Sequence, residues 1–100
     1  MEKTYLQPDN VPKPAGDYSQ GVVIRGGNLV MIAGQVPWGP DGKLVSEDFA
    51  AQTRQVFENL KNMLAAAGAT FADVIKLTIF LKEREDFMIF KDIRAEYLIP

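Results

Sequence analysis

The sequence predicts an α/β (α+β) domain with strands and helices in the order ββαβα. Three observations support this: two apolar runs flank a glycine turn near the N-terminus, a long helical stripe occupies the centre, and a strand pattern precedes a second helical stripe. Because helices that alternate with strands bury their apolar faces on a sheet, both helices are expected to pack on one sheet.

The first two strands are expected to form an antiparallel hairpin. Residues Tyr18 to Arg25 are rich in β-forming residues, and Leu29 to Gln35 form a second apolar run after the Gly26-Gly27-Asn28 turn. The chain before Tyr18 is predicted to be loose, because it carries three prolines, Pro8, Pro12 and Pro14.

The central helix has the most regular pattern. Its apolar positions recur in steps of three and four from Phe49 to Ala67, which places them on one helical face. Ser46 or Asp48 is expected to cap the N-terminus of this helix. Gly68 is expected just beyond its C-terminus, since glycine adopts a positive φ without steric cost.

A third strand and a second helix are predicted in the last third of the chain. Residues Asp73 to Lys82 alternate apolar and polar side chains, which is typical of a half-buried strand. A helical stripe that stops near Pro100 follows, marked by Phe87, Phe90, Ile93, Tyr97 and Leu98. The third strand lacks a neighbour in this order, so we expect either that a partner protects this sheet edge or that the chain is cut short.

Composition restricts the chemistry. A chain of 100 residues fits one domain spanning residues 1–100. It contains no Cys and no His, which excludes disulfides, thiolate chemistry and Ser-His catalysis and removes the commonest zinc ligands. The net charge of −2 gives no positive field for nucleic acid. With no apolar run of membrane-spanning length and no signal-peptide layout, we expect a cytoplasmic protein that does not enter the membrane.

Two side chains are candidates for ligand contact from local chemistry alone. Tyr18, in the stretch AGDYSQ, offers a hydroxyl on a rigid ring, and the alternative is that it only marks the entrance of a strand. Lys91, three residues before Arg94 on the second helix, is placed to hold a carboxylate, and the alternative is a solvated lysine.

Five segments follow the order and spacing of the motifs of one known family. Gly16 with Tyr18-Ser19-Gln20 resembles a G-P-Y-S-Q entrance, residues 32–37 resemble an I-S-G-Q-I-P strand, and residues 52–68 resemble a Q-T-R-Q…N-L…A-A-G helix. Residues 73–78 are similar to a D-V-V-K-T-T strand, and Asp86-Phe87 to the start of the last helix. These are motifs of the RidA family, also called YjgF or liver perchloric-acid-soluble protein.

The resemblance implies a mixed β-sheet backed by two α-helices, assembled as a chorismate-mutase-like homotrimer with ligand pockets between subunits. It also implies hydrolysis of imine and enamine intermediates, such as 2-iminobutanoate and 2-aminoacrylate, to 2-oxo acids and ammonia without a metal or cofactor. Tyr18 is the substrate-contacting side chain that carries over to this chain, and Gly34 offers backbone groups at the pocket wall.

The chain departs from the family pattern at three pocket positions: Asp17 stands in place of Pro, Ala33 in place of Ser and Lys91 in place of Asn. The family's carboxylate-binding Arg and water-positioning Glu belong to two last strands that would begin after Pro100, and we expect this chain to lack them. Lys91 could supply the missing cation, because an ammonium binds a carboxylate as a point charge.

The alternative function is a non-catalytic trimeric module that binds small carboxylates in the same clefts. The Ala33 and Lys91 departures favour this alternative. Ribonuclease activity, which is sometimes attached to the family, is disfavoured by the missing His and the negative net charge.

Overall fold

A computed structural model describes residues 1–16 and 18–98, and these fall into a first unit, Met1–Val30, and a second unit, Met31–Ile99. Asp17, where the sequence departs from the family's Pro, and Pro100, near which the second helix was predicted to stop, lie outside the described residues.

The first unit contains a two-stranded antiparallel sheet. Strand β1 spans Glu2–Leu6 and strand β2 spans Gly21–Arg25, with Thr4 opposite Val23. Glu2, at the start of β1, lies opposite Arg25, at the end of β2. The two side chains form an exposed ion pair, with 3.5 Å between Arg25 Nη1 and Glu2 Oε1. The alternation of exposed and half-buried residues along β1 is weak, so this sheet is held mainly by its backbone ladder.

The predicted N-terminal hairpin is wrong in its pairing. The turn is present, since Gly26 and Gly27 both have positive φ, at 74° and 80°, but residues 29–35 form no strand after it. The partner of β2 is β1, in the segment predicted to be loose. The β-forming composition of residues 21–25 indicates a strand but does not specify its partner, because pairing is decided by contacts distant in sequence.

The second unit is built on helix α1, Phe49–Ala66, as the central stripe predicts. Asp48 is the N-cap, and its Oδ2 accepts a hydrogen bond from the Ala51 N–H at 3.0 Å. Gly68 has φ of 73°, the left-handed conformation expected after a helix C-terminus. Thr53 is buried, and its hydroxyl is satisfied because it donates to the Phe49 carbonyl at 2.9 Å.

The predicted strand at residues 73–82 is also wrong. A short 3-10 helix, Phe71–Asp73, begins this region and is closed by a capping box between Thr70 and Asp73. Residues 75–82 make no backbone hydrogen bond to any other described residue. Alternation predicts which side chains share a face, but a strand exists only when another strand satisfies its N–H and C=O groups. The described sheet is therefore antiparallel rather than mixed, and the described order is ββαα.

Helix α2 spans Phe87–Tyr97 and follows a second 3-10 turn, Arg84–Asp86. It packs on α1 through an aromatic cluster centred on Phe57, which is 2% exposed. The Phe57 ring stacks on Tyr97 with centroids 4.8 Å apart and lies 6.0 Å from the ring of Phe90. Ile93 completes the buried side of α2. This cluster fixes the two helices against each other.

The two helices and the two-stranded sheet confirm the predicted α+β class and the existence of both helices. Within the described residues, neither helix has the length and apolar content needed to span a membrane.

Candidate functional site

Tyr18 lies in the first unit with its side chain 56% exposed. Its hydroxyl oxygen accepts a hydrogen bond from the Ala15 N–H at 3.4 Å, and its backbone N–H donates to the Gly16 carbonyl at 2.9 Å. The ring lies against Gly16, with a ring carbon 3.6 Å from the place where a Cβ would project. The phenolic proton is not used by these contacts, so the hydroxyl remains able to donate to a ligand.

Gly34 lies in the second unit, in residues 31–36, which form no helix or strand, and it is exposed. Apart from its chain neighbours, no atom lies within 4 Å of the place where its Cβ would project. The backbone on that side is open to an approaching molecule. On the same segment, the Ala33 carbonyl accepts a hydrogen bond from Gln35 Nε2 at 3.1 Å. Ala33 itself is exposed, and its methyl side chain offers no hydroxyl group.

Lys91 is half-buried on α2, directly after the buried Phe90. Among the described residues its ammonium forms no ion pair or hydrogen bond. Its neighbour Arg94 is used differently, since the Arg94 guanidinium lies over the Phe90 ring with 5.6 Å from Cζ to the centroid. Lys91 is therefore the member of the predicted cation pair whose charge has no observed partner.

The three predicted site residues are divided between the units, with Tyr18 in the first and Gly34 and Lys91 in the second. Within the second unit, Lys91 does not reach the open side of Gly34, because the 4 Å around that side holds only chain neighbours. The described residues therefore leave all three groups accessible, and the Lys91 side chain does not contact the open side of Gly34.

An amide network at the middle of α1 was not predicted. Asn59 Nδ2 donates to the Trp38 carbonyl at 3.0 Å and to the Val36 carbonyl at 3.3 Å. Gln55 Nε2 donates to Asn59 Oδ1 at 2.8 Å. The spacing of four between Gln55 and Asn59 places both amides on one helical face, and that spacing is the signal in the sequence that could have identified them.

An ion pair between the helices was also missed. The Nη1 and Nη2 atoms of Arg54 both donate to the Glu96 carboxylate, with 3.1 Å between Nη2 and Oε1. The hydrogen bonds from Arg54 lower the pKa of Glu96, and the same hydrogen bonds and charge raise the pKa of Arg54. The contact joins residues 42 positions apart, so no local pattern indicates it.

Tyr97, next to Glu96, is embedded in the aromatic cluster of the helix interface. Burial is the main cause of its raised pKa, and a hydrogen bond with the Glu58 side chain raises the pKa further. This tyrosine therefore stays protonated well above neutral pH. Its ring and hydroxyl are used in packing α2 on α1, which makes it a structural group.

A shallow pocket of about 190 Å³ lies at the C-terminal end of α1. Its lining is mostly apolar and contains Lys61, Leu64, Ala65, Ala69, Thr70 and Phe71. None of the predicted site residues lines this pocket. It contains no carboxylate, and Lys61 is the one ionisable side chain in its lining.

Comparison with known proteins places the chain among close relatives. A RutC family protein of Pyrococcus horikoshii is 47% identical over 96 residues, which are 95% of this chain and 75% of the relative. A 2-iminobutanoate/2-iminopropanoate deaminase of Salmonella typhimurium is 41% identical over 87 residues, and the chain spans 66% of that enzyme's length. A structure of a conserved Rid family protein from Yersinia pestis matches with a TM-score of 0.79 at 35% identity, over 97% of this chain and 77% of that one.

The motifs between residues 16 and 87 indicate the same fold and the same family as these relatives. The family model described as endoribonuclease L-PSP matches residues 8–99. The chain therefore belongs to the endoribonuclease L-PSP family, which is the YjgF/RidA family that its motifs indicate.

Proposed function

We propose that the protein is an imine and enamine deaminase, which hydrolyses intermediates such as 2-iminobutanoate and 2-aminoacrylate to 2-oxo acids and ammonia. The observation that carries the proposal is the 41% identity, over 87 residues, to a protein named 2-iminobutanoate/2-iminopropanoate deaminase. The wider family name covers proteins of unknown function as well, so the chemistry of this chain's own residues has to support the choice.

The proposed reaction adds one water to the C=N carbon of the imine. The water oxygen forms a bond to carbon while the imine nitrogen takes up a proton, which gives a carbinolamine. The nitrogen is then protonated again and the C–N bond breaks, so that ammonia leaves as the hydroxyl loses its proton to become the carbonyl of the 2-oxo acid. An enamine substrate first takes up a proton on carbon and loses one from nitrogen, which gives the corresponding imine. Such a site needs an anchor for the substrate carboxylate and a hydrogen-bonding group near the nitrogen.

Tyr18 is proposed to contact the substrate through its hydroxyl. The support is its exposure together with the free phenolic proton, since the hydrogen bond from the Ala15 N–H occupies a lone pair only. Gly34 is proposed to contribute backbone groups at the pocket wall, because its α-carbon side is unobstructed. Each contact is proposed separately, and no distance between them is implied.

Lys91 is proposed to hold the substrate carboxylate. Its half-buried position distinguishes it from the exposed lysines of the described chain, and its ammonium, which forms no ion pair among the described residues, binds an anion as a point charge.

We further propose that the single domain of residues 1–100 works as a cytoplasmic homotrimer with the ligand in the clefts between subunits. The family match supports the assembly. Light scattering from the purified protein tests it, with an expected mass three times the 11.1 kDa of one chain. A monomeric mass at micromolar concentration would remove the inter-subunit cleft from the proposal.

Activity is tested with 2-iminobutanoate generated in place from threonine by a dehydratase, while release of 2-oxobutanoate and ammonia is followed. The expected result is release faster than in buffer with dehydratase alone. A rate equal to that of buffer would reject the deaminase proposal.

Two substitutions test the site within that assay. Tyr18→Phe is expected to lower kcat/KM by about tenfold or more, the effect of removing a hydrogen bond worth about 1.5 kcal/mol. Tyr5→Phe is its control, because Tyr5 is 63% exposed in the same unit. Lys91→Ala is expected to raise KM, with Lys82→Ala as the control at an exposed lysine. Equal effects of a variant and its control would remove that residue from the site.

The second candidate function is a non-catalytic module that binds small carboxylates. Ala33 and Lys91 favour it, since they replace a hydroxyl and an amide with a methyl and a cation at pocket positions. Saturable binding of 2-oxobutanoate by calorimetry, with no acceleration of imine hydrolysis, would select this candidate over the deaminase.

A further inference from the structure

Among the described residues, the side chain of α1 that hydrogen-bonds to the backbone of residues 36–38 is Asn59. The Asn59 amide donates both of its N–H groups, one to the Trp38 carbonyl at 3.0 Å and one to the Val36 carbonyl at 3.3 Å. Asn59 is half-buried, and both of these hydrogen bonds lie on its exposed side. One amide thus bridges two carbonyls of the segment that directly follows Gly34.

Gln55 fixes the direction of that amide. Its Nε2 donates to Asn59 Oδ1 at 2.8 Å, which turns the oxygen of Asn59 toward Gln55 and its two N–H groups toward the carbonyls. Because Gln55 and Asn59 lie one helical turn apart on a regular part of α1, neither side chain has to leave the helix surface to make this contact. The pair is preorganised before it meets the 36–38 backbone.

The attached segment has few other constraints. Residues 31–35 make no backbone–backbone hydrogen bond to another described residue, and the Ala33 carbonyl accepts only from the side chain of Gln35 within the segment. Beyond them, the turn of residues 37–45 is closed on itself, since the Val45 N–H donates to the Pro37 carbonyl at 3.1 Å and the Gly39 N–H to the Lys43 carbonyl at 3.0 Å. Among the described residues, α1 holds the start of this turn through the Asn59 amide and the residue after its end through Gln52, whose Nε2 donates to the Ser46 carbonyl at 2.9 Å.

We infer that Asn59 is a positioning residue, which holds the 31–38 segment in place so that the Gly34 backbone can meet a ligand carboxylate or its neighbouring polar atoms. The inference rests on the proposed function in placing a ligand at Gly34. It adds to the proposed contacts a residue on α1 whose side chain acts through the backbone it binds.

The test compares Asn59→Asp with Asn62→Asp, which makes the same chemical change at an exposed position three residues along the same helix. At position 59 a carboxylate faces two carbonyl oxygens and repels them, since it has no N–H group to donate. Trp38 is the sole tryptophan of the chain, so its fluorescence anisotropy reports on the attached turn without interference. Affinity for 2-oxobutanoate is measured on the same samples by calorimetry.

For Asn59→Asp we expect lower Trp38 anisotropy and about tenfold weaker binding of 2-oxobutanoate, the order of effect of losing neutral hydrogen bonds. Helix content by circular dichroism should stay unchanged, and Asn62→Asp should match the unsubstituted chain in all three measurements. Gln55→Leu, which leaves Asn59 in place but removes its orienting partner, should give a smaller change in the same direction.

Unchanged Trp38 anisotropy in Asn59→Asp would overturn the attachment. Changed anisotropy with unchanged affinity would overturn the positioning role, as would the absence of any 2-oxobutanoate binding by the unsubstituted chain. These results are separate from failure of the deaminase proposal, because a chain that binds 2-oxobutanoate without hydrolysing imines can still show the full Asn59 effect.

Discussion

Truncation of Phe57 should separate α2 from α1. Phe57 is 2% exposed and its ring contacts three other aromatic rings, at centroid distances of 4.8 Å to Tyr97, 6.0 Å to Phe90 and 6.1 Å to Phe71. A buried phenylalanine removes about 150–250 Å² from water, which corresponds to about 4–6 kcal/mol at about 25 cal/mol per Å². That area is an upper bound because unfolded chains are partly compact, so for Phe57→Ala we expect a loss of about 4 kcal/mol in the free energy of unfolding.

Urea unfolding followed by circular dichroism measures this loss, with Phe80→Ala as the matched control. Phe80 is 93% exposed, so its truncation should change the free energy of unfolding by less than about 0.5 kcal/mol. If Phe57→Ala is too unstable to study, Phe57→Leu should retain the fold and lose about 1.5 kcal/mol or less. Equal losses at positions 57 and 80 would refute the assignment of the aromatic cluster as the core.

Two further stability predictions concern the ends and the surface of the helices. Asp48→Ala should lower the free energy of unfolding by about 1 kcal/mol, because it removes the N-cap of α1. Glu47→Ala, at the exposed neighbouring position, is the control and should leave the free energy of unfolding unchanged. Equal urea midpoints for the two variants would contradict the capping role of Asp48. The Glu96 carboxylate has a lowered pKa in the folded chain, so its contribution is present above the ordinary glutamate pKa and is lost as pH falls through the lowered value. The drop in urea midpoint from neutral to acidic pH should therefore be smaller for Glu96→Gln than for the unsubstituted chain. Identical pH profiles would show that the Arg54–Glu96 pair contributes nothing to stability.

Local signals in the sequence were sufficient for the helices. The stripe from Phe49, the cap at Asp48 and the positive φ of Gly68 are all set by residues within a few positions of one another, and each is found where it was predicted. The start of α2 at Phe87 follows the same logic. Helix boundaries were predictable because their hydrogen bonds close within the segment.

The strands could not be predicted in the same way. β2 has the predicted composition, but its partner is Glu2–Leu6 rather than the apolar run that follows the glycine turn. Residues 75–82 have the alternation of a strand and no described strand beside them. Side-chain alternation is a property of one segment, whereas a sheet is a property of two, and a single sequence contains no record of which segments meet.

For the candidate site too, some residues could be identified from the local sequence and others only from the structure. Tyr18 and Lys91 could be named from their chemistry, and the structure finds Tyr18 exposed and Lys91 half-buried. Asn59 could not be assigned a role, because its partners at Val36 and Trp38 lie more than 20 residues away in the chain. The Arg54–Glu96 pair spans an even longer separation. Residue type identifies groups able to bind a ligand, and only the fold identifies those that hold them in place.

The segment of residues 74–82, which forms no helix or strand, has a consequence for handling the protein in concentrated solution. It carries β-branched and aromatic side chains, including the almost fully exposed Phe80, on a backbone whose N–H and C=O groups from residue 75 onward are free among the described residues. Segments of this composition initiate cross-β aggregation when they meet another copy. Lys76 and Lys82 interrupt the apolar stretch, and their mutual repulsion between copies opposes stacking. High salt, which screens that repulsion, should therefore shorten the lag before fibril formation.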